Sequence, residues 1–346
     1  MAVWLVRAGS HGQHEQKFLQ DNKVFVTWDG LDADIGIMKD RTELACAMEK
    51  RNPEAKPKSI SNWVSQVWPF AHEMVMGDLV IVPLKDSRTI QIGEIKSDYQ
   101  FDISGPNPYY HWRSVKWIGE GIPRTNFAPD LLFTFGAFMT ICRVKRNNAE
   151  QRIATMKKNR WQPEFMSSLV GISLDSTATA EDGFETDIEE LARDRIAAYI
   201  GSKFKGHDFT RLVEAVLRAE GYTTYRSPDG ADGGVDILAG SGPLGFQSPR
   251  LCVEVKSGDA TIDRPSVDKL LGAVSKFGAD EGLFVSWSGY KGSVQKELAT
   301  SFFKVRLWGQ SEVMEKIFEV YDQLDSDIKA ELPMSKIWTL VIDDED

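Results

Sequence analysis

Over residues 1–150 the apolar positions fall in short runs. VWLVRAG (3–9), KVFVTW (23–28), DLVIVPL (78–84) and TIQIGEI (89–95) are rich in Val, Ile and Trp and are bounded by Gly, Asp and Pro, which predicts strands. DLVIVPL and TIQIGEI flank a KDSR turn and predict a hairpin, with Pro83 marking either an edge or the end of its first strand. Residues 40–51 and 61–75 space their apolar side chains three and four apart, which predicts helices. From residue 206 to 310 strand and helix periods alternate. The stretch GHDFTRLVEAVLRAEGY sets Phe209, Leu212, Val213, Val216 and Leu217 on one helical face, and Gly221 ends it as a C-cap. GGVDILAG and RLCVEVKS then read as strands. RPSVDKLLGAVSKFGA reads as a helix with Pro265 in its first turn, EGLFVSWSG as a strand, SVQKELATSF as a helix and KVRLW as a last strand. Helices and strands in that order predict a mixed sheet flanked by helices.

Between the two patterned regions, residues 151–205 read as a connector, with an acidic loop (DSTATAEDGFET) followed by a helix. Residues 311–346 read as an acidic helix and tail. The 346 residues suit two domains or three, and 42% hydrophobic composition is enough for real cores. No apolar run reaches the ~18 residues of a membrane span, and MAVWLVRAG lacks the pattern of a signal peptide. Cys46, Cys142 and Cys252 have neither disulfide-like nor metal-like spacing, so a cytoplasmic protein without membrane association is expected.

A net charge of −10 counts against a nucleic-acid partner, but its distribution removes much of that objection. Residues 1–150 carry 18 basic and 18 acidic side chains, whereas 175–195 carry 8 acids against 2 bases and 311–346 carry 11 against 3. The acid is concentrated in the connector and the tail, where it could mask a DNA groove, and the local field matters more than the total.

Side chains on a strand alternate faces. In RLCVEVKS this puts Val253 and Val255 on one face and Cys252, Glu254 and Lys256 on the other. In GGVDILAG, Asp236 points away from Val235 and Ile237, so on a neighbouring strand it would meet Glu254. Two converging carboxylates need a cation. A hard divalent ion with oxygen ligands supplies one, and an adjacent lysine can orient water or stabilise charge on phosphorus. A solvated surface ion pair would also read Glu-x-Lys, but this strand is too apolar for a solvated face.

The helix ending in Gly221-Tyr222, the run Asp232-Gly233-Gly234-Val235-Asp236, the Glu254-Val255-Lys256 triplet and the segment GLFVSWSGY resemble the catalytic domain of Mrr-type restriction endonucleases, within the PD-(D/E)xK nuclease superfamily. The resemblance covers 206–310 and implies Asp236 and Glu254 as ligands of Mg²⁺ or Mn²⁺, with Lys256 as the catalytic lysine. Relatives often carry a glutamate after the helix phenylalanine. Thr210 stands there, and Glu214 is the candidate replacement. Asp232 has either a turn role or a metal role.

Residues 1–150 resemble, more weakly, PUA- and EVE-like barrels, through VWLVRAG, Asn62-Trp63 and MGDLVIVPL followed by TIQIGEI. That resemblance implies a pocket for a flipped or modified base, with Trp4, Trp28 and Trp63 as candidate lining, against the commoner reading of such tryptophans as core. HWRSVKW offers Arg113 and Lys116 as candidate DNA contacts. The expected protein has two domains, α+β and α/β. An N-terminal PUA/EVE-like β-barrel with helices precedes a C-terminal restriction-endonuclease-like mixed sheet flanked by helices. The expected activity is Mg²⁺-dependent cleavage of double-stranded, base-modified DNA by a homodimer, a type IV-like restriction or antiviral defence function. A partner- or ligand-gated nuclease and a noncatalytic DNA-binding module are the competing classes.

Overall fold

The computed structural model describes residues 1–136, 139–163, 188–228, 234–258, 260–291, 294 and 301–338. The expected loop 175–186, most of the expected helix 293–302, Asp232 and the last residues of the tail lie outside the described residues. The chain divides into two compact units, one spanning Met1–Asp194 and the other starting at Arg195.

The first unit is built on strands β1 (Val3–Val6), β2 (Lys23–Val26), β3 (Leu79–Pro83), β4 (Thr89–Ile95), β5 (Gln100–Phe101), β6 (His111–Trp117), β7 (Ile122–Pro123) and β8 (Ile141–Arg143). Its helices are α1 (Glu15–Asp21), α2 (Arg41–Arg51), α3 (Pro57–His72), α4 (Pro129–Phe135) and α5 (Ala149–Lys158). The strands run in the order β2-β6-β4-β3-β1-β8, with β5 on β6 and β7 on β4. The expected hairpin is present, Leu79 pairing with Glu94 and Pro83 with Ile90, and Pro83 closes its strand instead of lying on an edge. Both faces of this sheet are covered. Trp4, Val80, Val82 and Val115 pack with Val64, Val67 and Phe70 of α3. Leu5, Ile81, Ile90 and Ile92 pack with Leu131 and Phe135 of α4 and Ile153 of α5. Double coverage explains why these strands read as continuous apolar runs.

Two polar groups hold this unit from inside. Arg113 is 2% exposed, and its guanidinium donates to the carbonyls of Phe70, Ala71 and Ser97 at 2.7, 3.0 and 3.2 Å. It closes the C-terminal end of α3, where carbonyls lack helical partners. His111 is fully buried, with Nδ1 2.7 Å from the Tyr99 hydroxyl and Nε2 2.6 Å from the Leu31 carbonyl.

The second unit begins with α6 (Ile188–Lys203), inside which the division falls, and α7 (His207–Ala219). Strands β9 (Thr223–Arg226), β10 (Ile237–Ser241) and β11 (Gln247–Lys256) follow, then α8 (Arg264–Phe277), β12 (Glu281–Ser286), β13 (Val305–Trp308), α9 (Gln310–Val320) and α10 (Ser326–Glu331). The sheet order is β13-β12-β11-β10-β9, parallel from β11 to β13 and antiparallel from β9 to β11. Every apolar position assigned to one face of α7 is buried, and Gly221 adopts φ +97°, the left-handed conformation that ends a helix. Strand β9 is an addition to the expected order.

Segments read as connector and tail are parts of cores. Ile153 and Met156 of α5 are buried in the first unit, and Ala197, Ile200 and Phe204 in the second. Val313, Met314, Ile317, Leu324, Ile328 and Leu332 lie in one core with α7. The acidity of α9 and α10 is met by cations of α7. Arg211 reaches Glu331 at 2.7 Å and Asp327 at 3.4 Å, and Arg218 pairs with Asp325. The 310–332 segment is therefore packed structure, not a mask free to leave a DNA groove.

Two tests follow from these cores. Ile317→Ala should destabilise the second unit by about 2–5 kcal/mol in urea unfolding, because it leaves a cavity at a fully buried site; a change below 1 kcal/mol, roughly the size of a surface substitution, would argue against a packed tail. Burial pushes the His111 pKa from 6.5 down to about 4. The unfolded chain therefore binds more protons in that interval. Stability is complete above pH 6.5 and falls by up to about 3 kcal/mol as pH drops to about 4. His111→Gln should flatten this part of the pH dependence of the urea midpoint.

Candidate active site

The second unit carries the candidate chemistry at one end of β10 and β11. Ile237 pairs with Val253 at the end of the antiparallel ladder, and Asp236, just before β10, donates its N–H to the Val253 carbonyl at 2.9 Å. Val235 lies in the core under α8 and Ile237 in the core with α7, so the expected strand alternation through Asp236 is corrected to a bend that still brings Asp236 to the end of β11. Paired residues share a face of the sheet. Val253 and Val255 lie in the core that includes α7, while Cys252 lies with Phe284 and Leu270 in the core under α8. Glu254 and Lys256 continue the Cys252 row past the end of that core. Side-chain exposure along the row rises from 13% at Glu254 to 47% at Lys256, with Asp236 at 22%.

Geometry joins the three side chains. Lys256 Nζ lies 3.1 Å from Glu254 Oε1 and 4.0 Å from Asp236 Oδ2. Asp236 Oδ2 also accepts the Val255 backbone N–H at 2.6 Å, which fixes the carboxylate. One ammonium thus reaches both carboxylates. Among the described residues no group of three or more His, Cys, Asp or Glu converges as a metal cluster. Asp236 and Glu254 are hard oxygen donors, the kind that suits an ion completing its shell with water and phosphate oxygens, as Mg²⁺ does.

Two tethers that the strand pattern did not reveal hold the end of β11. Trp287 N donates to the Lys256 carbonyl at 2.9 Å, continuing the parallel pairing in which Lys256 meets Ser286. Gly206 N donates to Ser257 Oγ at 2.7 Å, tying the start of α7 to the residue after the lysine. A serine after the strand and a glycine before the helix were the available signals, but nothing local couples them.

The other candidates are not brought to this group. Glu214 faces away from it. On α7 its carboxylate accepts the Thr224 hydroxyl at 3.0 Å and pairs with Arg218 at 3.3 Å and Arg226 at 3.7 Å. Arg226 pairs with Ile237, so it belongs to the α7 face of the sheet, opposite the row that carries Glu254. Its expected catalytic role is corrected to a structural one. In the first unit, Trp4 is 2% exposed and donates its indole N–H to Asp78 Oδ2 at 3.0 Å, so it is core and not pocket lining. Trp28 and Trp63 are half-buried against the same core. Arg113 is an internal staple and not a DNA contact; Lys116, three residues on, is exposed.

Residues 202–317 match the family described as restriction endonuclease, the Mrr catalytic domain. Residues 4–130 match a family described as a domain of unknown function, DUF8426. No curated protein matches the chain. Among solved structures, the DNA modification-dependent restriction endonuclease AspBHI is 15% identical, with 80% of this chain and 74% of that one covered and a TM-score of 0.33. The MspJI restriction endonuclease in complex with a 27-mer oligonucleotide is 14% identical, with 96% and 79% covered and a TM-score of 0.27. The second unit thus carries an Mrr-type restriction endonuclease domain, and the protein is an enzyme of the DNA nuclease class.

Glu214→Gln should lower the thermal midpoint while leaving the rate of DNA cleavage at 25 °C unchanged. Asp236→Asn and Glu254→Gln should abolish cleavage with the fold intact. A cleavage defect in Glu214→Gln as deep as in Asp236→Asn would return Glu214 to the chemistry.

Proposed function

We propose that the protein is a Mg²⁺-dependent endonuclease, with Mn²⁺ as an alternative ion, that hydrolyses phosphodiester bonds of base-modified double-stranded DNA. The observation that carries the nuclease half is the contact of Lys256 Nζ with both Glu254 and Asp236 at the end of a buried strand. Asp236 and Glu254 would hold the ion. When bound, it would supply a polarised water and offset charge on the phosphate.

The chain's own residues do the rest. The Val255 N–H keeps Asp236 from rotating away, so the carboxylate stays placed where it would hold an ion. Lys256 is half exposed, and a DNA phosphate arriving at the carboxylates meets its ammonium, which donates to a nonbridging oxygen and stabilises the charge that grows there. Between turnovers Glu254 neutralises the ammonium and holds it in place.

The reading half rests on the first unit. Its resemblance to PUA- and EVE-like barrels, and the half-buried rings of Trp28 and Trp63, support a site where an extruded base stacks on an aromatic face. The boundaries that go with this reading are 1–150 for the reader and 206–310 for the nuclease core. Cutting both strands needs two active sites, so a homodimer, or assembly on DNA, is part of the reading. A type IV-like restriction or antiviral role in the cytoplasm is the setting in which such an enzyme discriminates foreign DNA.

Matched plasmids test it, one unmodified, one cytosine-methylated and one carrying phage-type hypermodified bases, incubated with Mg²⁺ and either wild type or Lys256→Ala. Cleavage confined to modified DNA and absent in Lys256→Ala is the expected result. Equal cleavage of all three plasmids would discard the base reader and keep the nuclease.

A further inference from the structure

The segment Gly201–Gly206, GSKFKG, joins α6 to α7 and passes beside the active site. Two contacts fix it there. Gly206 N donates to Ser257 Oγ at 2.7 Å, and Ser257 follows Lys256 directly. Gly201 lets the Trp287 indole sit against the last turn of α6; a Cβ on Gly201 would stand 2.8 Å from Trp287 Nε1, and Trp287 is itself hydrogen-bonded through its backbone N–H to the Lys256 carbonyl at 2.9 Å. The backbone at Lys205 therefore lies within about 8 Å of that at Ser257, from one hydrogen bond and standard bond lengths.

Within this segment Phe204 is 1% exposed and anchors the chain in the core, while Lys203 and Lys205 on either side of it are exposed. Neither lysine has an ion-pair partner among the described residues. Other cations of this unit are already taken up. Arg211, Arg218, Arg226, Arg250, Arg264 and Lys316 are all engaged by carboxylates. The nearby acid Asp208 is turned to Arg211, 3.6 Å away. Lys203 and Lys205 thus stand exposed and without an ion pair among the described residues, on a segment tied to the residue after Lys256. Unpaired lysines on a tethered backbone beside a phosphodiester-cleaving site are matched in charge by the phosphates that flank the scissile one.

We propose that Lys203 and Lys205 form a phosphate-contacting strip that seats the DNA backbone next to Lys256. They act by positioning and carry no chemistry of their own. The inference rests on the nuclease reading and adds the surface through which the duplex is held at the site.

The test measures binding of a fluorescein-labelled modified duplex by anisotropy without divalent metal, across about 50 to about 200 mM KCl, and cleavage in Mg²⁺. Each lost phosphate contact removes about 0.9 from the slope of log K against log salt, so Lys203→Gln with Lys205→Gln should make it shallower by about 1.8. KM should rise while kcat at saturating DNA stays at the wild-type value. Lys329→Gln with Lys336→Gln removes the same charge from the α10 region and should leave the slope unchanged. An unchanged slope in the Lys203/Lys205 variant, in a protein that binds and cuts DNA, would overturn this inference and leave the nuclease reading standing. An equal drop in the control pair would also overturn it, by assigning the effect to net charge. A wild type that neither binds nor cuts any DNA would overturn the nuclease reading and this inference together.

Discussion

Everything proposed for this protein depends on the register between β10 and β11. The ladder ends at Ile237 and Val253, and two hydrogen bonds just beyond it, from Asp236 N to the Val253 carbonyl and from Val255 N to the Asp236 carboxylate, hold Asp236 beside the end of β11. Because side chains alternate, a slip by one residue would exchange Glu254 and Lys256 for Val253 and Val255 on that face. The valines are needed in the core with α7, and Cys252 in the core under α8. The hydrophobic demand of two cores therefore locks the register that assembles the charged group. Neither carboxylate lies near the other through local sequence; the sheet brings them together across 18 positions of chain.

The same strand shows how a buried sheet makes room for charge. Cys252 is closed beneath α8, Glu254 is slightly open, and Lys256 is half exposed. Burying a charge without a partner is costly, so the gradient lets each group keep its charge at the depth its partners can support. Asp236 is satisfied by a backbone N–H and by an ammonium, and Glu254 by the same ammonium. The result is two carboxylates and an ammonium gathered at one opening of the sheet.

Charge elsewhere in the second unit is handled differently. The acids of α9 and α10 look in composition like a repelling tail, yet they are paired with Arg211 and Arg218 over a shared apolar core. Net charge summed over a segment says nothing of whether its members are already neutralised. The converse holds for Lys203 and Lys205, ordinary surface lysines by composition, which matter because their segment is tied to Ser257, the residue after Lys256. In the first unit, Arg113 and Trp4 carry the lesson in reverse, since residue types common at nucleic-acid interfaces are spent here on helix carbonyls and on Asp78.

The sequence alone determined the strands and helices that repeat a clear period, the buried face of α7, the β3–β4 hairpin and the pairing of Glu254 with Lys256 on one side of a strand. Those features follow from local geometry, because side-chain direction has period 2 on a strand and 3.6 on a helix. Tertiary structure alone decided the rest. It added β9, drew α5, α6, α9 and α10 into cores, turned Glu214 to the opposite face of the sheet, buried Arg113 and Trp4, and tied Ser257 to Gly206. Each of these depends on which residue lies across a gap in the chain, from about ten positions for Glu214 and Thr224 to 74 for Trp4 and Asp78. Period and composition describe a residue's own element, whereas the partner that satisfies its polar atoms is chosen only when the elements pack.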